Sequence, residues 1–214
     1  MKFFRFYFLD LACRQTGFIL SRKANGFSLI ELMVAVGILV LINTMIFAKY
    51  PEFSQRMALK RTSEEIALIA RQAQAYSLGI KRSASGIDNF FGFGVHFDKS
   101  PANSKSLILF TDSGSTPNKI YDAGDDCGGS STECFQEFKI DTGDYVFELE
   151  ECSSMDVCVS VSANTLDVAY PRASSMATIN NNNSVSYAQV TVKSPDGNKE
   201  KKIKIWISGQ ITVE

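Results

Sequence analysis

The chain contains a single histidine, His96, and a single tryptophan, Trp206, among 214 residues. No metal-ligand spacing, glycine-rich phosphate loop or nucleophile elbow accompanies that histidine. The sequence is therefore expected to be no enzyme, to hold no cofactor and to take no small-molecule substrate. His96 lies in a strand-like stretch, where a half-exposed structural role is its simplest reading. Excess charge is also missing. The formal net charge is −1, so the bulk basic character that nucleic-acid binding draws on is absent. Cysteine is scarce and has no Cys-x-x-Cys spacing, which argues against zinc. Cys127, Cys134, Cys152 and Cys158 lie in two close-spaced pairs in the C-terminal half. Two disulfides in an oxidising compartment are the expectation, with reduced, half-buried thiols as the alternative. Three pairings are open; short loops favour Cys127–Cys134 and Cys152–Cys158.

What charge there is falls unevenly. Residues 1–26 hold Lys2, Arg5, Arg14, Arg22 and Lys23 against Asp10 alone, and removing them leaves a chain of net charge −5. Immediately after them, Phe27 to Ala48 form a 22-residue run whose only ionisable group is Glu31. As a helix the run would be about 33 Å long, enough to cross a bilayer core of roughly 30 Å. Arg22 and Lys23 before it outweigh Lys49 after it, which places the N-terminus on the cytoplasmic side. The run is too long for the apolar region of a secretory signal, and no Ala-x-Ala-like site follows it. A carboxylate so close to the start of a span is costly, by roughly 2.5–3.5 kcal/mol at the bilayer centre and less near the interface. Glu31 either reaches back to the interface with no further role, or meets a partner.

Beyond the run the apolar pattern changes. Leu59, Ile66, Ile69, Ala73, Tyr76 and Ile80 recur at helical steps, with Lys60, Arg61, Glu64, Glu65, Arg71 and Gln72 on the other face. One continuous helix is expected, kinked by Pro51 and ended by Gly79 or by residues 83–86. From about residue 90 the chain reads as strands: FFGFGVHFD, KSLILFTD, CFQEFKI, DYVFELE, TLDVAYP, YAQVTVK and KKIKIWI. Ser194–Lys199 and Ser208–Gln210 offer hairpin turns, and INNNNS at 179–184 reads as a polar loop. Trp206 and the phenylalanines read as core. No helical pattern separates the strands, so the class is α+β: a long N-terminal helix packed on an antiparallel sheet or sandwich. The expected organisation is 1–26 leader, 27–48 membrane helix, 49–82 amphipathic extension and 83–214 β-rich head.

The segment GFSLIELM, residues 26–33, behind a basic leader and at the head of a span, closely resembles the class III signal of type IV prepilins and type II secretion pseudopilins. The resemblance implies removal of the leader between Gly26 and Phe27 by prepilin peptidase. It further implies N-methylation of Phe27, and a role for Glu31 in neutralising the new N-terminal amine as helices bundle into a filament. The implied partners are prepilin peptidase, other pilin or pseudopilin subunits met through the N-terminal helix, and inner-membrane lipid. The implied topology is single-pass, with the head outside the cytoplasm. Over the remainder, RMALKRTSEEIALIARQAQAYSLGIK, FGFGVHFD and the terminal IKIWISGQITVE resemble minor subunits of the GspH/FimT type. Major pilins and G-type pseudopilins stay open.

Two other stretches carry candidate chemistry. Asp112, Asp122, Asp125 and Asp126 cluster among turn formers, where oxygen ligands can hold Ca²⁺, but their spacing is not that of an EF-hand. A loop closed by Cys127–Cys134 is the plainer expectation. Lys193, Lys199, Lys201, Lys202 and Lys204 are the only basic run near the C-terminus. A DNA-binding minor pilin for transformation would use such a patch, yet Asp196 and Glu200 interrupt it, which favours solvated hairpin lysines.

Overall fold

A computed structural model of the protein describes residues 26–79, 90–113, 118–122, 127, 133–154, 157–182 and 184–214. The order is one helix followed by ten strands. Helix α1 spans Leu29–Leu78 with Pro51 inside it. A turn at Gly79, one of the two expected ends, follows it; Ile80 and residues 83–86 lie outside the described residues. The chain divides into two compact units, residues 1–47 and 48–214.

Within the first unit every described residue of α1 is exposed. α1 is long and apolar enough to cross a membrane, and its most apolar window is wholly unburied. A run of some twenty mostly apolar residues with no protein to cover it calls for another apolar medium, which a bilayer or a bundle of like helices supplies.

In the second unit the strands are β1 (Phe90–Asp98), β2 (Ser106–Ser113), β3 (Cys134–Lys139), β4 (Tyr145–Ser154), β5 (Val157–Ser160), β6 (Thr165–Pro171), β7 (Thr178–Ile179), β8 (Tyr187–Lys193), β9 (Glu200–Trp206) and β10 (Ile211–Val213). They make two five-stranded sheets, in the order β3-β2-β1-β6-β7 and β10-β9-β8-β4-β5, and all pairings are antiparallel. This is the α+β, pilin-like architecture expected of the sequence. Seven strands match the predicted stretches to within a few residues. β10 follows the turn expected at Ser208–Gln210, while β5 and β7 are not among those stretches: one is four residues long among serines, the other only two. The INNNNS stretch is correspondingly no simple loop. Ile179 is fully buried, and the turn is made after it by Asn180 and Asn181, both at positive φ, where asparagine is one of the few side chains readily tolerated.

The core explains the helix's second half. Leu59, Ile66, Ala67, Ile69, Ala70 and Ala73 join Phe93, Val95 and Phe97 of β1 and Val190, Ile203 and Ile205 of the other sheet in one cluster. Ala67, Ala70 and Ala73 are buried on this face, while Lys60, Arg61, Glu64 and Glu65 stay in water and pair along the helix. Polar ties register the helix on both sheets. Ser77 Oγ donates to the Tyr170 carbonyl and accepts from the Phe93 amide, at 2.9 and 2.8 Å. Thr62 Oγ1 donates to Asp144 Oδ2 at 2.6 Å. Gln74 Nε2 reaches the carbonyls of Ser175 and Gly209 at 2.9 and 3.3 Å. Trp206 is not core: it stacks on Tyr187, ring centroids 4.4 Å apart, on the far side of its sheet from the cluster.

Candidate functional site: the helix N-terminus

α1 begins where the signal lies. Gly26, Phe27 and Ser28 precede the first turn, and the Ser28 carbonyl accepts the Leu32 amide at 3.1 Å. Ser28 and Glu31 have the Ser-x-x-Glu spacing of a capping box, and Glu31 is the acidic residue of the first turn. There a carboxylate meets unpaired amides and the positive end of the helix dipole. Glu31 thus has a local reason to be at this end of the helix besides any partner; that spacing was visible in the sequence.

Both sides of the Gly26–Phe27 bond are open. Phe27 is 82% exposed. A Cβ built on Gly26 meets nothing within 4 Å, and Gly26 is not among the glycines at positive φ. The chain's own conformation therefore does not demand glycine at 26. Phe27 stands four positions before Glu31, two residues ahead of the helix, so an amine created at Phe27 would lie close in sequence to this carboxylate. Leader residues 1–25 lie outside the described residues.

The remaining sequence candidates fall in the second unit. The four cysteines are joined as Cys127–Cys134 and Cys152–Cys158, with Cα atoms 4.7 and 4.0 Å apart. Asp112 is buried, and its carboxylate accepts the Lys119 amide at 2.7 Å. Burial holds its carboxyl above the usual range, against the amides of Lys119 and Asn118 that favour the charged form. Asp122 accepts from the Asn118 side chain at 3.0 Å, and its amide donates to Glu133 Oε2 at 2.8 Å. Both acids organise their loop. Asp125 and Asp126 lie outside the described residues, and among the described residues no group of three acids, histidines or cysteines is placed to hold a metal.

His96 Nδ1 donates to Asp167 Oδ1 at 2.7 Å, and its ring rests on Tyr121. Nearby, burial of Asp98 is outweighed by donors from Asn103 and Ser100, which leave its carboxyl below the ordinary value. Of the lysines, Lys193 is 3.8 Å from Glu200 and lies over the Phe147 ring. Lys199 donates to the Glu52 carbonyl, and Lys204 is 2.8 Å from Glu214. Each of these three is already engaged within the chain.

The exposed apolar helix start followed by two antiparallel sheets fits a membrane-anchored protein of the α+β, pilin-like fold. Residues 21–46 match the family model described as the prokaryotic N-terminal methylation motif. No curated protein and no solved structure matches the chain. That motif is a class III prepilin signal, and it supports a type IV pilin-like protein. That signal implies processing by prepilin peptidase and assembly with other pilins.

Proposed function

We propose that the protein is a structural, non-enzymatic minor subunit of the GspH/FimT type, which joins a type II secretion pseudopilus or a type IV pilus near its tip. It waits as a single-span inner-membrane precursor with its N-terminus in the cytoplasm and its head outside. Prepilin peptidase cuts after Gly26, Phe27 is N-methylated, and Glu31 meets the new amine of a neighbouring helix. The observation that carries this reading is the open Gly26–Phe27 junction at the head of the exposed, apolar first half of α1. Two bridged cysteine pairs in the head suit an oxidising compartment. A DNA-binding minor pilin is the weaker reading, because Lys193, Lys199 and Lys204 already have partners within the chain.

The test is made on the full chain in membranes that contain prepilin peptidase. Gly26→Trp leaves the full-length precursor, while the unaltered chain yields a product whose intact mass starts at methylated Phe27. Equal processing of both chains overturns the proposal.

A further inference from the structure

The apolar run contains a second polar feature besides Glu31. Asn43 and Thr44 lie near its other end, twelve residues beyond the glutamate, and both are exposed. Thr44 is satisfied locally, since its hydroxyl donates to the Val40 carbonyl at 2.8 Å. Asn43 is satisfied only in part. One amide N–H donates to the Leu39 carbonyl at 2.8 Å. A primary amide has a second N–H and an oxygen with two lone pairs. Hydrocarbon can neither donate to that oxygen nor accept from that N–H.

We propose that Asn43 is an interhelical contact through which the span pairs with a second, parallel copy of this chain in the membrane. The inference rests on the membrane-span reading above and extends it to a residue outside the signal. A second copy is the occupant that the chemistry favours. Both copies are placed by the same signal with the same topology, so their Asn43 side chains lie at the same depth. An amide is self-complementary, the oxygen of one accepting the free N–H of the other. Asparagine in an otherwise apolar helix seam fixes register and partner number in this way. Val36, Leu39 and Ile46 share the Asn43 face at steps of seven, four and three, and all are exposed. They supply packing on either side of the amide.

The test uses the full chain with Cys13→Ser, in membranes that contain prepilin peptidase. Single cysteines are introduced at Val36, Leu39 or Ile46, or on the opposite face at Ile38, Leu41 or Met45. Disulfide-linked dimer is measured beside the intact mass of the N-terminus. Dimer is expected from the Asn43 face and not from the opposite one. Asn43→Leu should weaken it about three- to thirty-fold, the range one interhelical hydrogen bond in a membrane gives, and Asn43→Gln should retain most of it. The inference fails if both faces link equally, if Asn43→Leu changes nothing, or if dimer forms only with a different pilin-like subunit. Normal processing with any of these results rejects the Asn43 contact alone; an unaltered chain that is never processed rejects the parent reading with it.

Discussion

Glycines 26 and 94 show two different reasons for one residue type. Gly26 has open space around it, so the fold sets no steric demand for glycine there. Gly94 lies in β1, and a Cβ there would overlap the Phe110 ring and approach the Val168 carbonyl to 2.8 Å. Gly94→Val should therefore cost about 1–3 kcal/mol, the usual penalty for overpacking a closed site, seen as a lower thermal midpoint of the head by circular dichroism. Glu31 belongs at this scale too. Glu31→Ala removes the counter-charge but leaves the Gly26–Phe27 bond as open as before. Processing should be retained while the assembled fraction, measured by sedimentation of sheared filaments, falls at least about tenfold, since an unpaired charge in an apolar bundle costs several kcal/mol.

At the scale of elements, the hairpin β4–β5 depends on more than its own hydrogen bonds. β5 is an edge strand of four residues with Val157 and Val159 exposed, and apolar burial contributes little to holding it. The Cys152–Cys158 bridge closes a short loop across that hairpin. Replacing both cysteines with serine should lower stability by about 2 kcal/mol on the chain-entropy estimate for so short a loop. The double variant should also be cut faster near Val157 by a protease at native temperature; an unchanged digestion rate would count against this role. Helix α1 is the contrasting case. Its second half was readable from Leu59, Ile66, Ile69 and Ala73 because one periodic face suffices to bury it. β5 and β7 have too few residues to display a period at all.

For the whole molecule, two buried or half-buried acids pull the pH dependence of stability in opposite senses. Asp98 has its carboxyl lowered by hydrogen bonds, so it contributes stability that is present above its unfolded value and lost as pH falls through the folded one. Asp112 has its carboxyl raised by burial, so its contribution is full at low pH and lost as pH rises through the folded value. Asp112→Asn should accordingly compare better with the unaltered chain at pH 7 than at pH 4, and Asp98→Asn worse. Thermal midpoints of the three proteins across that window check the signs, and parallel curves for all three would contradict them.

How much was legible depends on how local the cause is. The cleavage signal, the span and the helical stripe are contiguous, and each acts through linear order or a single period. They could be read residue by residue, as could the turns at Ser194–Lys199 and Gly209. Trp206 could not. Its strand alternation was visible in KKIKIWI, but which face meets the core depends on the partner strands, and the sheet placed Ile203 and Ile205 inside and Trp206 outside. The burial of Asp112, the engagement of the lysines and the His96–Asp167 contact are likewise products of long-range pairing. By itself the sequence determined where the chain is apolar enough to cross a membrane and where it carries the prepilin signal, because hydrophobic length and a short linear motif are both properties of a continuous segment. The tertiary structure alone decided which polar groups are satisfied within the head, because their partners lie from a few to well over a hundred residues away and meet only when the sheets close on the helix.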